Sequence, residues 1–170
     1  LAELMRQGAT GVAFGLINDA QSAAACHAAG EGAIVKLELG GRSVPPPLAV
    51  EARVLRLSDG RYVNQGPMTK GNVTTLGPTA LVEVAPDLLV VVASKKTQAY
   101  DRMMFRHLGV DPETRKILAL KSSVHFRADF EPIASEVLVV AAPGPVIADP
   151  SALPFTRLRP GLRRRPAPGQ

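Results

Sequence analysis

Apolar positions fall in short runs along this chain, and the way those runs alternate with polar residues changes twice. Residues 1–7 read as the end of a helix closed by Gly8, which can take the left-handed conformation favoured at a helix C-terminus. The apolar run 11–17, bounded by turn residues, predicts a buried strand. Asn18 or Asp19 can then cap a helix over 21–29, and Gly30 stops it. The alanine-rich stretch 22–29 has high helix propensity and small side chains, which suit close packing on a sheet. The opening is a β-α unit.

The middle of the chain alternates with the period of two expected of strands. Residues 33–39 alternate and turn at Gly40-Gly41. Pro45-Pro46-Pro47 excludes a central strand, and 48–57 resume the alternation. Ser58-Asp59-Gly60 is a hairpin signal leading into 61–64. Residues 66–71 read as a loop, and 79–84 as another strand before the Pro86-Asp87 turn. This section predicts antiparallel hairpins.

The third section returns to strand and helix in turn. Leu88–Ala93 is an unbroken apolar run, the pattern of a strand buried on both faces. Residues 100–108 read as a helix carrying Met104, Phe105 and Leu108, ended by Gly109. A buried strand is expected over 116–120, a helix over 124–134 interrupted near Pro132, and a third apolar strand over 136–141. Beyond Pro143 the chain is proline-rich and then arginine-rich, with no period and no internal repeat. The expected fold is α/β: a mixed sheet with a parallel βαβαβ C-terminal part and antiparallel hairpins in the middle. The expected division is one domain over 1–156 and a flexible basic tail over 157–170.

Composition narrows the function classes. At 170 residues, 46% hydrophobic and 21% charged, the chain suits one globular domain. Its net charge of +5 first suggests an acidic partner. Yet Arg157, Arg159, Arg163, Arg164 and Arg165 lie in the last fourteen residues, and the remaining Lys and Arg only balance the 15 acidic residues. Aromatics are 4% and Trp is absent, so few platforms exist for stacking bases, and nucleic acid is not an expected partner. Nor is a membrane, because the apolar runs fall far short of the ~20 residues that span a bilayer. The expected compartment is the cytoplasm. The chain opens at Leu1 inside what reads as a helix, so it is expected to be a piece of a longer protein.

Candidate chemistry sits where a parallel sheet places it, in the loops leaving the C-terminal ends of strands. One strand end runs into Ser94-Lys95-Lys96-Thr97-Gln98, another into Lys121-Ser122-Ser123-Val124-His125-Phe126-Arg127. Both emerge at one edge in a parallel arrangement. They offer hydroxyls, ammonium groups, an imidazole and a guanidinium, suited to carboxylates, carbonyls or phosphates. The competing reading is that Ser122 or Ser123 caps the next helix and Arg127 lies in solvent.

Other chemistries find less support. The single Cys26 allows neither an internal disulfide nor a cysteine-based zinc site. His27 lies in the alanine-rich helix, and His107 near a helix end, where it would complement the dipole. Only His125 belongs to a polar constellation, and no tetrahedral zinc set can be assembled. There is no Gly-x-Ser-x-Gly elbow, and Cys26 and His27 are adjacent positions that do not face each other on a helix. Gly11-x-x-x-Gly15 and the 66–71 loop with Lys70 are weak glycine signals without the context of a phosphate-binding loop.

Several stretches are specific beyond composition. They are residues 53–68, from Arg53 through Ser58-Asp59-Gly60 to Asn64-Gln65-Gly66-Pro67-Met68, and the turn Leu76-Gly77-Pro78-Thr79-Ala80. To these add the 94–98 loop, Leu108-Gly109-Val110-Asp111-Pro112, and 121–127 followed by Phe130-Glu131-Pro132-Ile133-Ala134. On these, the chain resembles the C-terminal domain of the microcystinase C (MlrC) family of zinc metallopeptidase-like proteins over about residues 1–160. The resemblance implies a parent protein that hydrolyses peptide bonds of small peptides such as linearised microcystin. It implies zinc in the parent, held by an Asp and histidines of a larger N-terminal domain, and no catalytic or metal-ligating residue in this segment. This domain would close the interdomain cleft and offer Ser122, Ser123, His125 and Arg127 to substrate, with Lys95 and Gln98 as weaker candidates. Its expected partners are its own N-terminal domain and a small peptide, with a second copy of the chain left open. The alternatives are a stand-alone α/β module for a small anionic ligand and a purely structural or dimerisation domain.

Overall fold

An interior strand, β1 (Val12–Asn18), is apolar on both sides because it is covered on both sides. In the computed structural model, which describes residues 1–41, 46–142 and 149–165, it lies between two parallel neighbours. Asp19 caps the following helix, α2 (Ala20–Ala29), through its carboxylate and the Ser22 N–H at 3.1 Å, and Gly30 ends it. Then come β2 (Ile34–Leu39) and β3 (Leu48–Ser58), a short pair β4 (Arg61–Val63) and β5 (Val73–Thr75), and β6 (Thr79–Ala85) with β7 (Leu88–Ala93). The chain continues through α3 (Met103–Arg106), β8 (Ile117–Leu120) and α4 (Arg127–Phe130); α1 (Ala2–Arg6) precedes them all. The main sheet has the order β2-β3-β6-β7-β1-β8. β7, β1 and β8 are parallel, and β2, β3, β6 and β7 pair antiparallel. The mixed α/β sheet is as the sequence predicts.

Period-two alternation sorts the strand residues onto two faces. Val12, Val54, Val82, Leu88, Val90 and Val92 pack with Ala23 and Cys26 of α2 and with Leu4 and Met5 of α1. Ala13, Leu81, Val91 and Ala93 pack on the other face with Met104, Phe105, Leu108 and Phe130. Burial raises the Cys26 thiol to about 11, which fits an inert core cysteine.

Several expectations are corrected. Ser58-Asp59-Gly60 does turn the chain, but β4 pairs with β5 rather than back onto β3. Ser58 Oγ and Asp59 Oδ1 accept the N–H groups of Gly60 and Arg61, each at 2.9 Å, and Gly60 sits at φ +73°. That swings the chain out of the sheet. β5 belongs to no element foreseen from the pattern. The 100–108 helix shrinks to α3, because the Asp101 carboxylate is held by residues 65–66 as well as by Met103 N–H. Pro132, lacking an N–H, converts the later part of the 124–134 helix into a 3-10 turn, Glu131–Ile133. β8 is an edge strand with Ile117 38% exposed, not a buried one. Residues 136–141 form no strand: the third parallel place is taken by β1, and Leu138, Val139 and Val140 are 75–79% exposed. The readings made on Pro45, on residues 143–148 and on the last five residues lie outside the described residues.

The chain divides into two compact units, Leu1–Val137 and Leu138–Gln170. In the second, a 3-10 turn, Pro150–Ala152, is followed by Arg165, which pairs with Asp149 at 2.6 Å.

A Cβ at Gly60 would strike the carbonyl oxygen of Gly77 and lie 2.7 Å from Thr79 Oγ1, in a backbone conformation that L-residues rarely adopt. Gly60→Ala is expected to cost about 2 kcal/mol or more, read as a lower urea midpoint at unchanged m-value.

Candidate functional site

Three parallel strands in adjacent positions must open at one edge. Asn18 at the end of β1 stands in register with Ala93 at the end of β7, and β8 ends beside Gly15. The segments leaving this edge are therefore 94–102 and 121–130. Because β6 runs antiparallel to β7, with Thr79 opposite Ala93, the β4–β5 hairpin also springs from the same edge.

Backbone hydrogen bonds pin the segment roots. Ser94 N–H and Oγ both donate to Pro78 O, at 3.1 and 2.7 Å; Lys95 N–H donates to Leu76 O at 2.8 Å, and Lys121 N–H to Gly15 O at 2.7 Å. Beyond these roots, Gln98, Ser122 and His125 come together. His125 Nδ1 lies 2.6 Å and Ser122 Oγ 3.4 Å from Gln98 Oε1. An amide oxygen only accepts, so Nδ1 carries the proton and a neutral ring leaves Nε2 as an acceptor. Phe126 N–H donates to Ser122 Oγ at 3.3 Å, so the serine ties its loop rather than capping α4. Gln98 and His125 are exposed; the arrangement is an open constellation rather than a cavity.

The other predicted residues stand apart from it. Arg127 pairs with Glu131 at 2.6 Å and lies over the Phe126 ring, 5.3 Å from its centroid. Ser123, Lys95, Lys96 and Lys121 are exposed, and no ion pair of these lysines occurs among the described residues.

Sequence reasoning missed what holds the edge in shape. Asp101 and Asp129 are buried, 2% and 5% exposed. Asp101 Oδ2 accepts the N–H groups of Gln65 and Gly66 at 2.9 and 2.7 Å, and its Oδ1 that of Met103 at 2.9 Å. Asp129 accepts Arg102 N–H at 2.7 Å and Arg102 Nε at 3.1 Å, and Arg102 continues to Glu113 at 2.5 Å. A Cβ on Gly66 would fall 2.8 Å from Asp129 Oδ2 and 3.1 Å from Asp101 Oδ2, so only glycine fits between the two carboxylates. These groups line a cleft of about 140 Å³ with Met103 and Arg106. Asn64, also buried, bonds Asn72 O and Thr74 Oγ1 inside the hairpin. The signal available in sequence was Asn64-Gln65-Gly66 followed at a distance by two isolated aspartates.

His107 stands at the C-cap of α3, the kind of helix end expected of it, and turns its ring back onto that helix. Its Nδ1 lies 2.8 Å from Met103 O, its ring stacks on Tyr62 at 4.8 Å, and its Nε2 is buried without a partner. Burial lowers its pKa, outweighing the Met103 contact and the nearby Asp59 carboxylate. Its neutral form is the one that fits. His27, in contrast, is exposed and reaches Thr79 O at 3.1 Å.

Among the described residues, no three of His, Cys, Asp and Glu gather so that they could hold a metal ion. None of the described helices is long and apolar enough to cross a membrane.

Together the fold and this edge define an α/β domain that presents polar loops at the C-terminal ends of a parallel β7-β1-β8 core. A family model described as the MlrC C-terminus matches residues 1–157, and the chain belongs to that family. It is 31% identical over 117 residues to microcystinase C of a Sphingomonas species, covering 67% of this chain and 22% of that protein. It also matches the crystal structure of a "Putative metallopeptidase" from Mesorhizobium sp. BNC1 at 26% identity and a TM-score of 0.77, covering 94% of this chain and 32% of that one. The chain thus spans less than a third of the length of these two relatives.

Two outcomes test this account of the edge. Asp101→Ala strips the acceptor from three backbone N–H groups, and is expected to cost about 3 kcal/mol and to speed amide exchange at Gln65 and Gly66. For His107, the folded pKa lies below the unfolded value of about 6.5, so the unfolded chain binds the proton first as pH falls. Stability is then complete above about pH 7 and declines below 6.5 by at most about 1.4 kcal/mol per pH unit from this group. Urea midpoints measured from pH 7.5 to 5 are expected to show that decline, and His107→Gln to flatten it.

Proposed function

We propose that this chain is the C-terminal domain of a zinc-dependent metallopeptidase acting on small peptides, and that it closes a substrate cleft against an N-terminal domain holding the metal. The observation that carries the reading is the Gln98–His125 pair with Ser122 at the C-terminal edge of the parallel strands, in a chain of the MlrC C-terminus family. The names of the two relatives, microcystinase C and a metallopeptidase, support the reaction class. The metal supplies Lewis-acid chemistry from outside this chain. What this chain contributes is positioning. Gln98 orients the His125 ring, whose Nε2 side can hydrogen-bond a peptide N–H when neutral or a carbonyl oxygen when protonated. Ser122 and Ser123 offer hydroxyls beside it, and Arg127 and Lys95 offer positive charge to a peptide carboxylate.

A second reading is favoured by Lys95, Lys96 and Lys121, exposed at the same edge and free of ion pairs among the described residues: a module that binds a small anion without catalysis. Titration calorimetry of the 170-residue chain with inorganic phosphate and with ATP separates the two, since micromolar binding supports the module.

For the leading reading, zinc content and hydrolysis of linear peptides are measured on the 170-residue chain and on the full-length protein. Zinc and turnover are expected only in the full-length protein; stoichiometric zinc in the short chain would overturn the division of labour. In the full-length protein, His125→Ala is expected to lower kcat/KM about tenfold or more, within the range for losing a transition-state hydrogen bond.

A further inference from the structure

Residues 138–165 contain no buried residue among those described, yet they include a run with no charge at all. Leu138, Val139 and Val140 are 75%, 79% and 78% exposed, and Phe155, Leu158 and Leu162 are exposed as well. Three consecutive large apolar side chains point to both faces of an extended segment, the pattern of a strand covered on both sides. A surface groove would cover only one face, so the partner this pattern fits is a sheet that itself has two covered faces. Left in water, such a run is an aggregation hazard rather than a neutral surface.

We infer that 137–141 is a strand donated to the sheet of the other domain of the full-length protein. The inference rests on the reading above that such a domain exists, and it adds which residues bind it. Two observations argue for that occupant. The family match runs to residue 157, so the apolar run belongs to the shared domain. Coverage of 94% in the Mesorhizobium structure exceeds what Leu1–Val137 alone supplies, so part of the second unit has a counterpart in a chain of which this one is 32%. Most of that longer chain lies outside the match. Main-chain pairing supplies affinity in strand addition, and the Leu and Val side chains supply the apolar payload.

Amide hydrogen exchange tests it, on the 170-residue chain and on the full-length protein, without reference to zinc or activity. The expected result is exchange at 138–141 slowed about 100-fold or more in the full-length protein and unprotected in the short chain. Equal protection in both, whether from pairing within the chain or between copies, overturns the inference; so does absence of protection in both. The double variant Leu138→Asp/Val140→Asp gives a second readout. It is expected to leave the unfolding midpoint of the short chain unchanged, because these side chains bury nothing there, and to lower that of the full-length protein. An unchanged full-length midpoint overturns the inference. Protection without zinc or turnover would sink the peptidase reading and leave this one standing.

Discussion

β1 must satisfy two parallel ladders at once, and the rest of the fold follows from that demand. A parallel neighbour cannot be reached by a tight turn, so each ladder requires a crossover. One connection, from β1 to β7, carries α2 and the whole antiparallel half of the sheet; the other, from β7 to β8, carries α3. All three strands end at the same edge, and the loops that leave it carry exposed polar side chains. Gln98 and His125, 27 residues apart, meet for this reason alone.

Buried apolar residues, Leu76, Ala99 and Phe130, root the segments at this edge, and buried carboxylates tie those segments to one another. Burying a carboxylate is costly unless donors surround it. Asp101 and Asp129 meet that condition with backbone N–H groups and a guanidinium, and each thereby joins segments distant in sequence. Phe130, next to Asp129, packs edge-on against Phe105 at 6.1 Å, which ties the polar clasp to the core on that face. Gln98 and His125 then stand exposed on a braced frame. Rigid support beneath open side chains is what a preorganised binding site requires.

Local periodicity made β1, α2, β2, β3, β6 and β7 legible, because each is long enough to show its period and its caps. β5 has only Val73, Thr74 and Thr75, too short to carry a pattern. Ser58-Asp59-Gly60 announces a turn, but a turn's composition does not say which strands it joins. The Asp101 clasp was invisible for a different reason: its partners lie 35 and 36 residues away, and no local rule reports them. The polar loops after β7 and β8 were placed at one edge correctly, from topology alone. Which of their residues touch was not readable, since Arg127 turned to Glu131 while the weaker candidate Gln98 became the hub.

The basic balance of the chain takes on a different meaning once the second unit is considered. The family match ends at residue 157, so Arg159, Arg163, Arg164 and Arg165 lie past it, while Leu138, Val139 and Val140 lie within it. The two features are neighbours in sequence but differ in standing. A charge cluster remains soluble without a partner, and Arg165 already pairs with Asp149 and Ser151 in its own unit. An uncharged apolar run gains nothing from water, so its persistence inside the shared domain calls for a surface that covers it. The surplus charge of +5 therefore belongs mostly to residues outside the family's domain. The apolar run and the polar sheet edge, in contrast, both lie within it.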